Sequence, residues 1–289
     1  MTVMITPTNA GAPNILQSLG LNLIPVVKKG QSVQFTMGDG LDGDCPPRTV
    51  TLDRPFDMMD RPLIRNDVRK LLGREPLARH VMLARDITTG REHVMGVKRQ
   101  DAEEFENWTP YDLNAEWGTK GLAGTRIHDV TKLYEMYCGA QTLANPDHLV
   151  THFSYYDALY IAALFSNALG REARLPTEAE MEYALQEAIF QRAVAQNADG
   201  PGSINNYTAD DRGFKALLAS VWQWCLDNYG PYPDGVLNNP TGPTSGDARV
   251  LRGGAWYNYD LGCRAACRYF DHPGIRYYDC GARLVVPRT

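Results

Sequence analysis

Read for the alternation of apolar and polar positions, the chain resolves into short strands, a few helices and long loops. Residues 1–30 form an irregular arm carrying two apolar runs, 15–19 and 23–27. The segment QSVQFTMGDG, residues 31–40, alternates as a strand does and stops at a Gly-Asp-Gly turn. RTVTLDRPFDM, residues 48–58, alternates again, so that Val50, Leu52 and Phe56 share a face. A helix is predicted over 66–72, with Asn66 as N-cap and Gly73 as its stop. Residues 74–147 mix strand-like runs (HVMLA, EHVMGV) with a polar stretch over 103–111, and read as an elaboration on the core.

Two helices carry stronger signals. Ser154 precedes one that runs to Leu169, with Asp157 at its third position and Gly170 at its end. Thr177 opens the next, and Glu180 three residues on completes a capping box, in which each side chain reaches the other's backbone amide. Its apolar face continues through Leu185, Ile189 and Phe190 toward Ala195. Gly, Pro and Asn dominate 197–244, interrupted by the compact strand SVWQWCLDNY, which places Trp222 and Trp224 on one face. The chain closes on glycine-rich β-formers with arginines at intervals.

Composition narrows the function classes. The net charge of -5 carries no basic footprint for nucleic acid. No apolar run approaches a membrane span, and the N-terminus lacks a basic segment followed by an apolar one, so no membrane insertion is expected and the place of work is the cytoplasm or a phage particle. None of the six cysteines forms a CxxC pair, which fits unpaired thiols in a reducing compartment.

The segments FTMGDG, SYYDALYIAALF, RLPTEAEMEYAL, SVWQWCLDNY, NPTGP, RVLRGGAW, CRAACR and GAR, in that order, resemble the formylglycine-generating-enzyme (sulfatase-modifying factor) type of C-type-lectin fold. The resemblance implies an α+β, loop-rich domain over 31–289 with short antiparallel strands and two helices, an insertion at about 74–147 and a distinct C-terminal segment at about 255–280. It assigns Trp222, Trp224, Arg252, Gly253, Gly254, Trp256, Arg264, Arg268, Gly281 and Arg283 to the scaffold. Physically, the tryptophans supply core area, Gly253 and Gly254 allow positive φ or close backbone approach, and the arginines fork onto carbonyls or carboxylates.

Enzymes of this type hold copper with two thiolates placed after the Gly-Gly motif. Asn258 stands at the first place, and Cys263 lies at a suggestive offset for the second. The iron-binding histidine set of sulfoxide-synthase relatives is missing: only His148 and His152 are near neighbours. The calcium-holding segment of the family reads GFKALLAS here, with Ala216 and Ser220 in place of oxygen-rich side chains. The expectation is therefore no cofactor, no metal and no catalysis.

One branch of the fold, the variable proteins of diversity-generating retroelements, displays residues recoded from AAC to NNC codons, which cannot encode Lys, Glu, Gln, Met or Trp. Residues 257–280 contain none of these five, an absence expected by chance on the order of one per cent of the time. The resemblance therefore implies a variable ligand-binding surface of Tyr257, Asn258, Tyr259, Asp260, Leu261, Gly262, Tyr269, Phe270, Asp271, His272, Ile275, Tyr277, Tyr278 and Asp279, whose partner is an unknown protein or cell-surface ligand. Tyrosine-rich loops give large contact areas at low entropic cost. A copper-dependent oxidase and an inactive structural member of the family are the alternatives.

Overall fold

A computed structural model describes residues 14–73, 78–86, 92–99, 122–129, 133, 136–137, 145–188 and 200–288. The expected continuation of the second capped helix through Ile189, the polar stretch over 103–111 and Cys138 lie outside them.

The chain's two ends meet in one sheet. β4 (Phe56–Met59) lies between β1 (Leu23–Val27) and β13 (Val285–Pro287), antiparallel to both, with Leu23 opposite Met59 and Val285 opposite Met58. All four β4 residues are buried because the strand is covered on both faces: Met59 joins one apolar core, Phe56 and Met58 the other. A second sheet pairs β2 (Val33–Met37) with β3 (Arg48–Leu52), and β3 with the short β9 (Leu237–Asn238). Here the alternation read from the sequence holds: Phe35, Met37, Val50 and Leu52 are buried, while Gln34 and Thr36 face solvent. β5 (Ala78–Asp86), β6 (Glu92–Arg99) and β7 (Leu122–Asp129) form a separate antiparallel sheet in the order β6-β5-β7, within the expected insertion.

The fourth sheet positions the site. Its order is β11 (Arg268–Asp271), β10 (Arg249–Arg252), β8 (Trp222–Asn228), β12 (Cys280–Gly281). β8 is buried end to end, and its period of two splits it between the cores. Trp222, Trp224 and Leu226 face the core shared with α3 (Tyr155–Leu169), whereas Cys225 faces the one shared with α4 (Glu178–Leu185). β10 divides likewise, Leu251 to the first side and Val250 to the second. The Trp224 indole N–H reaches the Phe153 carbonyl at 2.6 Å, tying the sheet to the entrance of α3.

Both capping boxes form: Ser154 with Asp157, and Thr177 with Glu180. Arg174 also grips Glu180 through two bonds of 2.7 and 2.8 Å. α1 (Ile15–Leu19) and α2 (Arg65–Leu72) are two further helices. α2 departs from the sequence reading. Ile64, not Asn66, is its N-cap, and the Asp67 carboxylate accepts from the Ile64 amide at 3.0 Å while holding Arg61. A buried Arg–Asp pair replaces the polar cap side chain, and Asn66 instead accepts from Arg69.

Candidate binding face

β10 ends in Arg252-Gly253-Gly254, and these two glycines turn the chain out of the sheet with φ of 100° and 75°. A Cβ on Gly253 would meet the Leu217 carbonyl at 2.8 Å, and one on Gly254 the Cys263 sulfur at 2.5 Å. Both positions therefore demand glycine on conformation and on space. The chain then loops through a 3-10 turn, Asp260–Cys263. The Asn258 side chain accepts from the Ala255 amide at 2.7 Å and closes the start of that loop. β11 returns along the sheet edge, and residues 272–279 run to β12 against the start of α3.

Backbone bonds that involve none of the displayed side chains clamp this last loop. His152 N–H donates to the Tyr277 carbonyl (2.7 Å), Tyr155 N–H to Pro273 (3.1 Å) and Trp222 N–H to Asp279 (2.8 Å). Arg276 forks onto both oxygens of the buried Asp157 at 2.7 and 2.8 Å. Asp157 thus serves twice, capping α3 and anchoring the loop. The sequence pattern alone assigns Arg276 no role; its position inside a run of tyrosines, close to the arginines of the scaffold, is the one signal it offers.

Arg252, Arg268 and Arg283 are buried beneath the face, and Arg264 is half-buried. Arg252 bonds Glu178, Glu182 and the Ala265 and Ala266 carbonyls. Arg268 forks onto Glu178 at 2.6 and 2.9 Å and stacks on Tyr229 and Tyr232. Arg264 reaches across to Asp39 (2.8 Å) and Asp42 (2.5 Å), so the loop after β2 is tied to the loop after β10. Arg283 donates to Gln223 and to the Met59, Lys215 and Ala216 carbonyls. Gly281 passes so close to Val150 and Val221 that a Cβ would lie 2.8 Å from the Val150 carbonyl. Trp222, Trp224 and Trp256 are buried.

Above this frame stand the aromatic side chains. Tyr259 is 78% exposed, Leu261 71%, Tyr278 50%, Tyr277 46%, Phe270 45%, Tyr257 44% and Tyr269 43%. Tyr257 and Tyr278 lie 5.7 Å apart between ring centres, and each packs on Trp256 at 5.1 and 5.6 Å. Tyr269 packs on Trp222 at 5.3 Å, placing it on the same side of the sheet as Trp224 and Leu251. Phe270, the next residue of an edge strand, points to the opposite side and stacks on Tyr229 at 3.9 Å. The face consequently wraps around the sheet edge.

Other positions divide by exposure. Asp260 and His272 are exposed; Asn258, Gly262, Asp271 and Ile275 are half-buried. Asp279 is buried, and its carboxylate accepts from the Tyr257 hydroxyl, so it orients a displayed ring from below. Burial, then this hydrogen bond, pushes the Tyr257 phenol well above its ordinary range. Burial raises Tyr269 as well, with Asp271 and Asp279 adding to the effect. Burial and the bond to Asp44 push Tyr229 up to about 12.

The residues do not fit the metal sites of the family. Cys263 is buried under Gly254, and the place of the first thiol belongs to Asn258, whose side-chain oxygen is committed to the Ala255 amide. Among the described residues no group of three or more His, Cys, Asp and Glu could hold a metal ion. In the loop 213–220 the Ser220 hydroxyl donates to the Ala216 carbonyl at 2.8 Å, and the Arg283 guanidinium donates to the Lys215 and Ala216 carbonyls, so these oxygens already have donors.

The sulfatase-modifying factor enzyme 1-like domain matches residues 26–193 and 185–288. The chain belongs to this family. It is 27% identical to the formylglycine-generating enzyme of Streptomyces coelicolor, over 86% of this chain and 85% of that one. It is 25% identical to the hercynine oxygenase of Mycolicibacterium smegmatis, over 85% of this chain and 58% of that longer protein. These family relatives are enzymes and overturn the expectation of a chain outside catalysis: its family is enzymatic. In fold, the chain is similar to Treponema denticola variable protein 1 (TM-score 0.60, 16% identity, 93% of this chain and 95% of that one). It is also similar to PvdO from Pseudomonas aeruginosa (TM-score 0.57, 17% identity, 92% and 98%). The architecture is that of the C-type-lectin-like fold in its formylglycine-generating-enzyme form, as expected. No helix among the described residues is long and apolar enough to cross a membrane.

Proposed function

We propose that residues 257–279 form a recognition face for a protein or cell-surface ligand, diversified by a retroelement and carried on a fixed frame. One observation carries this reading. Of the nine exposed large hydrophobic residues among those described, seven fall in this segment, and a stable fold does not gather so many there for its own sake. The clamps of the frame beneath run through backbone groups, glycines and arginines rather than through these side chains. Such a face covers at most about 800 Å² on this side, the size of a specific protein contact. A few of its tyrosines would dominate the energy, each worth roughly 2 kcal/mol or more on truncation.

The test is a double variant, Tyr257→Ala with Tyr278→Ala. Ligands selected from a cell-surface protein array with the wild-type chain should be lost, while the thermal midpoint stays close to wild type. Retained binding would refute the assignment. The diversification component has its own check. A near-copy of the DNA encoding 257–280, differing at template adenines, is expected beside the coding region, and its absence would contradict that component.

The family favours a second activity for the same chain, oxidation of a cysteine-containing peptide of the formylglycine-generating kind. Oxygen uptake with such a peptide, lost in Cys263→Ala, would establish it; uptake unaffected by that change would remove Cys263 from any such role.

A further inference from the structure

The charges around the face divide unequally. Every arginine of the segment 257–279 is already committed to carboxylate: Arg264 to Asp39 and Asp42, Arg268 to Glu178, Arg276 to Asp157. Arg264 meets two aspartates, so that rim keeps a negative excess. Asp260 is exposed and Asp271 half-buried, and neither forms an ion pair among the described residues. Asp279 lies beneath Tyr257 and Asp44 beneath Tyr229, both as hydrogen-bond acceptors for phenols. The upward shift of Tyr269, to which Asp271 and Asp279 contribute after burial, reports the same negative field among the rings.

Resting on the recognition face proposed above, we infer that its partner is a protein surface rich in arginine and lysine. Aromatic faces attract guanidinium and ammonium groups through the ring quadrupole, and unpaired aspartates beside the rings supply the matching charge. The rings are spread over both sides of an edge strand, from the Tyr257–Tyr278 pair to the Phe270–Tyr229 stack. This breadth fits a macromolecular surface rather than a closed cage around one small cation. Nucleic acid and anionic lipid carry the wrong sign.

The experiment uses the whole chain on an array of twelve-residue peptides, equal in aromatic and aliphatic content and graded from arginine- and lysine-rich to glutamate-rich. Basic peptides should be retained about tenfold better than acidic ones, with the preference collapsing in about 0.5 M NaCl, where the screening length is roughly 4 Å. Asp260→Asn with Asp271→Asn should lower retention of basic peptides about three- to tenfold. The control pair Asp53→Asn with Asp211→Asn, charges of the same sign, the first at the end of β3 opposite the Asp39–Asp42 loop, should leave retention unchanged. If retention is indifferent to peptide charge and to Asp260 and Asp271 but is lost in the Tyr257→Ala, Tyr278→Ala variant, the basic partner is refuted and the recognition face stands. If retention survives the tyrosine changes, both fall. An equal loss in the control pair would reduce the preference to bulk charge and would also overturn the inference.

Discussion

Two neighbouring stretches of one sheet use the same residue types to opposite ends. In β10 and its glycine turn, Arg252, Trp256 and the glycines are buried, and both terminal nitrogens of Arg252 are bonded. In the loop that follows and in β11, Tyr257, Tyr259, Tyr269 and Phe270 project outward while their backbone stays clamped. Arginine and aromatic residues occur in both, so composition alone does not tell frame from display. The difference lies in where the hydrogen bonds go. Frame arginines reach residues far away in sequence, whereas Tyr257, Asn258, Asp271 and His272 bond within the segment 255–279.

This contrast can be broken at several points. The largest effect is expected for Arg252→Met, which leaves Glu178 and Glu182 buried with part of their cationic partner gone. A loss of about 3–5 kcal/mol in urea unfolding is expected. Gly254→Ala comes next. Its added carbon strikes Cys263 in a left-handed backbone conformation, and a loss of about 1–3 kcal/mol is expected in the same assay.

The pH dependence tests a buried frame carboxyl. Burial, with Glu178 adding to it, pushes Asp227 up to about 8 from an ordinary value of 3.8. Above pH ~4 the unfolded chain releases this proton while the folded chain keeps it, so stability falls as pH rises. The decline should run from about pH 4 to about 8 and then level off. Asp227→Asn should flatten that window in thermal midpoints recorded across it; an unchanged slope would remove Asp227 as the source. The smallest effect belongs to the display. Tyr259→Ala should move unfolding by no more than about 0.5 kcal/mol.

Much of the frame was legible because its signals are local. The capping boxes at Ser154 and Thr177 need only residues three apart, and alternation in β2, β3 and β8 needs only one strand. What escaped depends on distant partners. Ile64 caps α2 because Asp67 and Arg61 fold back on it. Arg264 finds Asp39 and Asp42 more than 200 positions away. The pairing of β4 with both chain ends has no local signature either. In the candidate face, residue types pointed to the segment, but an edge strand that exposes both of its sides, and an Asp279 turned under Tyr257, emerge only from three-dimensional packing. The non-enzymatic expectation failed for another reason: missing metal ligands describe one reaction centre, while family membership rests on the whole scaffold.

The most direct measurement randomises Tyr257, Tyr259, Asp260, Leu261, Tyr269, Phe270, His272, Tyr277 and Tyr278 with NNC codons and sorts the library by protease resistance. A majority of members should fold with the wild-type midpoint, and a parallel library at Arg252, Trp224, Arg268 and Arg283 should fail almost completely. Equal losses in the two libraries would show that the displayed side chains hold the fold together, and would contradict a frame that stands without them.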